Sequence, residues 1–373
     1  MEVMKQANRL RARGKDVLYL CVGQPSVGAP APVLQAAREA IATDVLGYTD
    51  AMGMMALRER ISRYYHERYG VDVPVERIIV TTGSSGAFML GFMAAFDACA
   101  RIALAQPNYP PYFTIPSSLD LVPVPVSVDD SSGFQLTGSH IATLAQGENG
   151  IAGAVVASPA NPTGTMLSLA ALGDLVATCE RHGVRLISDE IYHGITFGED
   201  AITALELTDH ALVINSFSKY FCMTGWRLGW MVLPPDLAER VEILAQHFFI
   251  SPPTLSQYAA IKAFDCTDEL DAIVQGYARN REILLNELPG AGISHFAPAD
   301  GAFYLYGDVS GLTNDSTAFC KAMLEEAGVA ATPGIDFDQA NGAAYVRFSF
   351  AGEESHMVEA ARRIKGWLKS RSG

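Results

Sequence analysis

Short apolar runs alternate with longer segments of helical periodicity over most of the chain. This alternation is typical of an α/β fold with a mostly parallel sheet. The apolar runs predict strands at residues 78–81, 101–105, 121–128, 153–157, 185–188, 212–215 and 229–233, the last of them antiparallel. A helix is predicted from Ala87, directly after the turn-like sequence Gly83-Ser84-Ser85-Gly86.

The pattern changes near Leu284. A long helix with several charged residues, at about 271–288, leads into predicted strands at 302–306 and 344–350 and helices at 316–327 and 353–368. The chain has 373 residues, which is enough for two domains. We therefore expect a large α/β domain followed by a smaller α+β domain.

Composition narrows the possible partners and the compartment. The formal net charge is −14 and basic residues form no run, which argues against nucleic acid or an anionic membrane as a partner. The most apolar run, 87–96, is too short to span a bilayer. Six scattered cysteines without Cys-x-x-Cys pairing favour reduced thiols in a cytoplasmic protein, and the histidines show no metal-binding spacing. We expect no bound metal.

The segment 215–230 carries the most informative chemistry. Lys219 follows Ser216 and Ser218 in a largely uncharged, aromatic stretch, and Arg227 follows eight residues later. Desolvation and a cationic neighbour both lower the pKa of a lysine. A neutral amine can condense with an aldehyde, and an arginine with nearby hydroxyls can bind a phosphate. Aldehyde and phosphate together indicate pyridoxal phosphate (PLP), although a buried turn whose lysine reaches solvent fits the same residues.

This segment resembles the PLP-attachment motif of the class I/II aminotransferases, the fold-type I group typified by aspartate aminotransferase. The motif, Ser-x-Ser-Lys followed by Gly-x-Arg-x-Gly, is matched by Ser216, Ser218, Lys219, Gly225, Arg227 and Gly229. The resemblance runs from about Val17 to the C-terminus. It implies a large PLP-binding domain at 30–283 with a mixed, mostly parallel sheet, and a small α+β domain formed by 1–29 and 284–373. Lys219 would carry PLP and act as general base, while Ser216, Ser218 and Arg227 would bind the cofactor.

Two further loops gain a role from the resemblance. Gly83-Ser84-Ser85-Gly86 precedes a predicted helix, whose N-terminus favours an anion, although most such turns only connect elements. Similarity to the family's phosphate loop assigns Ser84 and Ser85 to the PLP phosphate. Tyr109, two residues after Pro107, either packs within a proline-rich loop or stacks on a cofactor ring. The resemblance implies that it stacks.

Asn161 and Asp189 both follow predicted strands. The Asn161 amide can donate to a phenolate oxygen, or the Asn-Pro-Thr-Gly string forms an ordinary turn. Asp189 emerges at the strand edge where open α/β sheets bind ligands, and it either pairs with a protonated pyridine nitrogen or caps a helix. The resemblance assigns Asn161 and Tyr192 to the ring oxygen and Asp189 to the ring nitrogen, and it implies a cis bond between Asn161 and Pro162.

Arg347 is isolated within the apolar run 345–350, where a buried arginine needs a partner. A structural salt bridge or a substrate α-carboxylate could supply that partner. The resemblance implies the carboxylate, with Gly23 and Asn161 lining the same site. Tyr48 resembles the tyrosine that reaches the PLP phosphate of the partner subunit, so we expect a homodimer with shared active sites.

Together these similarities imply a PLP-dependent aminotransferase of amino acid metabolism, serving a biosynthetic process. It would move an amino group between an L-amino acid and a 2-oxo acid by a ping-pong mechanism, with Lys219, Asp189 and Tyr192 as catalytic residues. A PLP-dependent C–S β-lyase, or other α-carbon chemistry on the same scaffold, remains open.

A PLP-sensing transcriptional regulator is a further alternative. It would need a DNA-binding domain ahead of the first predicted helix, and the acidic charge disfavours it.

The sequence differs from the family's pattern at one position, and one substrate-binding residue cannot be assigned. No second arginine can be placed to bind a dicarboxylate side chain, and Asp338 replaces the glycine of the family's Pro-Gly-x-x-Phe-Gly turn.

Overall fold

The structure, a computed structural model, describes residues 2–371. Its helices are α1 (Glu2–Ala12), α2 (Ala31–Thr43), α3 (Met55–Tyr69), α4 (Gly83–Ala95), α5 (Pro111–Ser118), α6 (Gly138–Gln146), α7 (Leu169–His182), α8 (Ala238–Phe249), α9 (Thr254–Ala263), α10 (Thr267–Glu287), α11 (Ser316–Ala322) and α12 (Glu354–Arg371). None of these helices is both long enough and apolar enough to cross a membrane.

The strands are β1 (Leu18–Tyr19), β2 (Ile78–Thr81), β3 (Arg101–Gln106), β4 (Val122–Ser127), β5 (Gly153–Ala157), β6 (Arg185–Asp189), β7 (Leu212–Ser216), β8 (Gly229–Val232), β9 (Tyr304–Asp308), β10 (Val329–Ala330), β11 (Thr332–Pro333) and β12 (Tyr345–Ser349). Seven of them form the main sheet in the order β2-β8-β7-β6-β5-β3-β4. Strand β8 runs opposite to the other six, so its pairings with β2 and β7 are both antiparallel, as predicted.

The central strands are buried on both faces, which explains why they are continuous apolar runs. Alternate residues along a strand enter different cores. Val155 of β5 belongs to one apolar cluster, whereas Ala154 and Val156 belong to the other. The sheet is therefore a rigid layer between two hydrophobic cores, and the loops at its carboxyl edge are held in place from both sides.

A second, three-stranded sheet follows in the order β11-β12-β9, with both pairs antiparallel. The N-terminal strand β1 pairs in parallel with β10, so the start of the chain lies against this later region. The division into 30–283 and 1–29 with 284–373 stays a prediction, and its boundary falls within helix α10.

One local expectation was wrong, and one alternative is excluded. Helix α4 begins at Gly83 rather than at Ala87, because Gly83 takes a left-handed conformation (φ +74°) that turns β2 directly into the helix. The Gly-Ser-Ser-Gly string is thus the first turn of the helix. No helix follows Asp189, so the helix-cap alternative also fails; its carboxylate instead accepts the backbone N–H of Ile191 at 3.0 Å within a turn.

Candidate functional site

The carboxyl ends of the neighbouring strands β5, β6 and β7 bring three polar groups to one edge of the main sheet. Asp189 ends β6, Asn161 lies in the loop after β5, and Lys219 lies in the loop after β7. This edge is where open α/β sheets bind ligands. Peptide bonds 158–159 and 161–162 are cis, which confirms the expectation for Asn161 and Pro162.

Lys219 is held by a loop anchored in the aromatic core. Phe217 packs against Trp230 with ring centroids 4.9 Å apart and against Phe264 at 5.4 Å. The Lys219 ammonium donates a hydrogen bond to the carbonyl oxygen of Gly23. Burial first, and then the positive charges of Arg347 and Arg227, lower the pKa of Lys219 to about 8. The amine is therefore far easier to deprotonate than an ordinary lysine.

Asp189 is buried, with 3% of its surface exposed. The hydroxyl of Tyr112 donates to its Oδ2, and no lysine, arginine or histidine of the described chain forms a salt bridge with it. Desolvation raises the pKa of Asp189 to about 6 despite these hydrogen bonds. A buried carboxylate without a cation is costly, so the site is suited to a cationic ligand group at this point.

Arg347 is buried as well, at 6% exposed, but the partner that it lacks is an anion. Its Nη1 donates to the Asn161 side-chain oxygen at 2.7 Å, and its Nη2 donates to the carbonyl of Cys21 at 3.1 Å and the hydroxyl of Thr332 at 3.3 Å. Its Nε has no partner among the described residues, and no carboxylate lies in contact. The salt-bridge alternative is therefore wrong, and the guanidinium is free to bind an anion.

Aromatic rings surround these charges. The Arg347 guanidinium lies 4.2 Å from the ring centroid of Tyr304 and 4.6 Å from that of Phe337. The hydroxyls of Tyr192 and Tyr304 are 2.8 Å apart. Tyr109 is partly exposed, at 39%, and meets the ring of Tyr112 edge-on, with centroids 5.5 Å apart. A partly exposed ring at this edge is available to a planar ligand.

A separate cradle forms where β8 passes the N-terminus of helix α4. A Cβ atom on Gly83 would lie 2.5 Å from Nη2 of Arg227, so the guanidinium rests directly on the first turn of the helix. A Cβ on Gly229 would lie 3.1 Å from the backbone nitrogen of Ser84 and 2.8 Å from the carbonyl of Asn215. The glycines therefore bring an arginine and free helix N–H groups together, which suits a phosphate.

The remaining predicted residues are Ser216, Ser218, Ser85 and Tyr48. Ser216 is 1% exposed, and its hydroxyl donates to the carbonyl of Leu228 at 3.1 Å or to the hydroxyl of Ser218 at 2.9 Å. Ser85 is exposed on the first turn of α4. Tyr48 is 82% exposed on the segment between α2 and α3, and no hydrogen bond or ring contact within the described chain joins it to Lys219 or Arg227.

Sequence reasoning missed several residues that contact the site, among them Tyr112, Tyr304 and Phe337. Tyr112 lies in the first turn of α5, three residues after Tyr109, and this closeness in sequence to a predicted site residue could have identified it. Tyr304 lies in no motif, and Phe337 was noted only as part of the Pro-Gly-x-x-Phe turn. The pairing of β9 with β12 and the turn before β12 bring their rings to Arg347. Asp338, the departure noted above, is 3% exposed, and its Oδ1 accepts the backbone N–H groups of Ala340 and Asn341, so it stabilises the turn that carries Phe337.

The sequence model of the family "Aminotransferase class I and II" matches residues 15–364. The chain belongs to the class I and II aminotransferases. It is 46% identical over 368 residues to the valine–pyruvate aminotransferase of Mycobacterium tuberculosis, covering 98% of this chain and 94% of that protein. It is 31% identical to the aspartate aminotransferase of Thermotoga maritima, covering 100% and 96%.

Solved aminotransferases share the architecture. The crystal structure of an aminotransferase from Mycobacterium tuberculosis superposes with a TM-score of 0.96 at 45% identity, over 99% of this chain and 96% of that one. The chain is thus an aminotransferase of fold type I, with a mixed, mostly parallel sheet, and it transfers an amino group between an amino acid and an oxo acid.

The family uses PLP, and the residues of this aminotransferase fit that cofactor. The buried Asp189 carboxylate, which accepts hydrogen bonds only from neutral donors, meets the need of a protonated pyridine nitrogen. The cradle at Gly83 and Arg227 suits a phosphate, and Lys219, whose pKa is shifted by burial and by the charges of both Asp189 and Arg227, offers an amine of lowered pKa. Among the described residues, no group of three or more histidine, cysteine or acidic side chains could hold a metal ion.

Proposed function

We propose that this aminotransferase binds PLP through Lys219 and exchanges amino groups by a ping-pong mechanism. The observation that carries the proposal is a pair of buried charges, Asp189 and Arg347, that have no salt-bridge partner among the described residues and that both act on the Lys219 amine. One charge calls for a cation and the other for an anion, as the ring nitrogen of PLP and the α-carboxylate of a substrate would supply.

PLP, when bound, supplies an aldehyde for the amino group and an electron sink for the α-carbon. Asp189 keeps the ring nitrogen protonated, while Asn161 and Tyr192 donate hydrogen bonds to the ring oxygen. Tyr109 stacks on the ring. The phosphate is held by the N-terminus of α4 and by a set of hydroxyl and guanidinium groups: Ser84, Ser85, Ser216, Ser218 and Arg227.

Arg347 binds the substrate α-carboxylate with two of its N–H groups, and Gly23 and Asn161 line the same space. The Lys219 amine would act as the general base toward the α-proton of the substrate. Its lowered pKa keeps a useful fraction of the amine neutral near pH 8. Because Arg347 has no carboxylate of its own, substrate binding satisfies a charge that the protein leaves unmatched.

We further propose donors with uncharged side chains and a small oxo acid such as pyruvate as acceptor. The relative from Mycobacterium tuberculosis, at 46% identity, is named for valine and pyruvate. The described charges that act on Lys219 are Arg347, Asp189 and Arg227, and each already has a role above. A side-chain carboxylate would therefore find no spare cation among them.

We propose a homodimer in which Tyr48 of the partner subunit reaches the phosphate. Exposed apolar side chains are concentrated near Tyr48, including Ile41 at 60% and Val45 at 96%. The same segment is tied to α9, since Thr254 donates to the carbonyl of Gly47 at 2.6 Å. Such a surface is typical of a subunit interface.

The scattered, reduced cysteines favour a cytoplasmic enzyme, and a biosynthetic role in amino acid metabolism follows from the proposed reaction.

The test is direct. Protein reconstituted with PLP should absorb visible light, and borohydride should fix the cofactor on Lys219 in peptide mapping. Valine with pyruvate should yield alanine and the matching oxo acid, with a higher kcat/KM than aspartate with pyruvate. With cysteine as the only substrate, release of sulfide, ammonia and pyruvate without amino transfer would instead favour the lyase. Reduction at a different lysine would overturn the site assignment.

A further inference from the structure

Tyr304 contacts two functional side chains of the site, Arg347 and Tyr192, although no motif identifies it. Its hydroxyl lies 2.8 Å from the hydroxyl of Tyr192, and its ring face lies under the Arg347 guanidinium with the centroid 4.2 Å away. Both tyrosines are almost fully buried, at 1% and 4% exposed. A Cβ atom on Gly23 would lie 2.5 Å from the Tyr304 hydroxyl oxygen, so a glycine is needed there to leave room for it.

The position of Tyr304 is fixed by the antiparallel pairing of β9 with β12. Tyr304 is directly opposite Ser349, and Tyr306 is directly opposite Arg347. Side chains two residues apart on a strand share a face, so Tyr304 and Arg347 are diagonal neighbours on one face of this sheet. The register of two strands therefore places the ring beneath the guanidinium, and the same ring extends toward Tyr192 of the main sheet's loop.

The proton count fixes the direction of the hydrogen bond between the two phenols. Burial raises the pKa of Tyr192 and of Tyr304, so each keeps its single proton at neutral pH. If Tyr192 donates its proton to the cofactor ring oxygen, it can only accept from Tyr304. Tyr304 must then be the donor. Hydrogen bonds in such a chain polarise one another, so the second phenol strengthens the first as a donor.

We propose that Tyr304 is a positioning residue that orients and polarises the Tyr192 hydroxyl and supports the Arg347 guanidinium on its ring face. The inference rests on the function proposed above. It gives one side chain two separable parts, a hydroxyl that acts through Tyr192 and a ring that acts through Arg347. Different substitutions at this single position can therefore separate the two effects.

The hydroxyl is tested by the pH titration of the visible absorbance of the PLP-loaded protein. A donor to the ring oxygen stabilises the deprotonated chromophore, so Tyr192→Phe should raise the titration midpoint by roughly 1–2 pH units. Tyr304→Phe should raise it by about a tenth to three tenths of that shift, through lost polarisation alone. In the Tyr192→Phe background, Tyr304→Phe should cause no further shift.

Tyr306→Phe is the matched control. Tyr306 is on the same strand and equally buried, but its hydroxyl has no hydrogen-bond partner among the described residues. Its removal should leave the midpoint unchanged. Thermal unfolding of each cofactor-free variant, measured alongside, tests whether that variant folds.

The ring is tested by comparing Tyr304→Phe with Tyr304→Leu. The phenylalanine keeps an aromatic face under Arg347, so KM for the amino acid should stay near wild type. Leucine removes that face, and KM should rise about 2- to 30-fold. Equal midpoint shifts in both backgrounds, no shift from Tyr304→Phe, or equal KM for both variants would overturn the inference. A wild-type protein that shows no visible band after reconstitution would overturn the proposed function and the inference together.

Discussion

Two buried arginines, Arg77 before β2 and Arg347 within β12, are similarly hidden from solvent, at 9% and 6% exposed. Arg77 donates from Nε to the carbonyl of Leu233 at 2.7 Å, and its two remaining nitrogens donate to the side chain and the backbone carbonyl of Asp209. Arg347 has no carboxylate partner, and its Nε is left without any partner in the described chain. The same residue type is thus satisfied in one region and unsatisfied in the other.

The difference separates a structural arginine from a binding arginine. A buried charge that is paired by the protein contributes to the fold, whereas one that is left unmatched costs stability until a ligand arrives. Asp189 follows the same rule with the opposite sign, because its buried carboxylate accepts only neutral donors. Burial alone would not have distinguished Arg77 from Arg347; the complete list of partners does.

The largest effect is expected where the unmatched charges converge. Lys219→Ala removes the amine that both forms the link to PLP and moves the α-proton, so turnover should fall by about 10⁴-fold or more. PLP should still bind through the phosphate cradle and Asp189. Equilibrium dialysis of PLP and a transamination assay measure the two effects. Substantial turnover without the amine would show that a different base acts.

The next largest effect is expected when Arg347 and Arg77 are each replaced by alanine and the two variants are compared. Arg347→Ala should lower kcat/KM by roughly 30- to 5,000-fold, the equivalent of about 2–5 kcal/mol, with little loss of stability. Arg77→Ala should leave kcat/KM almost unchanged and lower the free energy of unfolding by about 1–3 kcal/mol. Denaturant unfolding and steady-state kinetics on both variants check the pair. Equal losses of stability would remove the distinction between them.

An amine analogue sharpens the Arg347 result. A substrate that lacks the α-carboxylate cannot bind to the guanidinium. Arg347→Ala should therefore slow transamination of the amino acid but not of its decarboxylated analogue. Arg347→Lys should recover only part of the loss, since an ammonium cannot form the paired contact. If the substitution slows both substrates equally, the arginine is structural after all.

A smaller, pH-dependent effect is expected at Asp189. Its folded pKa of about 6 exceeds the value of about 3.9 for an unfolded aspartate, so the folded protein holds the proton more tightly. The cofactor-free protein should therefore lose stability as pH rises from about 4 through 6, by roughly 3 kcal/mol from this group. Cofactor-free Asp189→Asn should be more stable than wild type at pH 7, and the gain should vanish near pH 4. Thermal unfolding across this range would refute the idea if the gain proved independent of pH.

The smallest effect is expected at Tyr48, which is exposed on the surface of the subunit. Tyr48→Phe removes one hydroxyl that, in the proposed dimer, contacts the phosphate across the interface. PLP retention should weaken by several-fold, as expected for one hydrogen bond to a charged group, while circular dichroism stays unchanged. Dialysis and sedimentation measure retention and subunit number. A monomer with full activity would contradict both the dimer and this role.

The predicted central strands of the main sheet agree with the structure because strands buried on both faces are mostly apolar, a pattern that is visible in the local sequence. The start of helix α4 was predicted four residues late. Glycine and serine are weak helix formers, so local preference favoured a loop, whereas the turn from β2 at Gly83 fixes the start of the helix. Local preference is overridden wherever a neighbouring element determines the backbone path.

The sequence by itself determined which side chains stand at the ends of β5, β6 and β7, because a strand's residue order and its direction in a parallel sheet fix them. Only the tertiary structure decided how those side chains are partnered. Tyr112 contacts Asp189 across 77 residues of sequence, Tyr304 contacts Tyr192 across 112, and Arg347 contacts Asn161 across 186. These contacts depend on strand register and on the packing of one sheet against the other, and neither is written in any local pattern. For the same reason, the missing counter-charge of Arg347 became visible only once every element around it was in place.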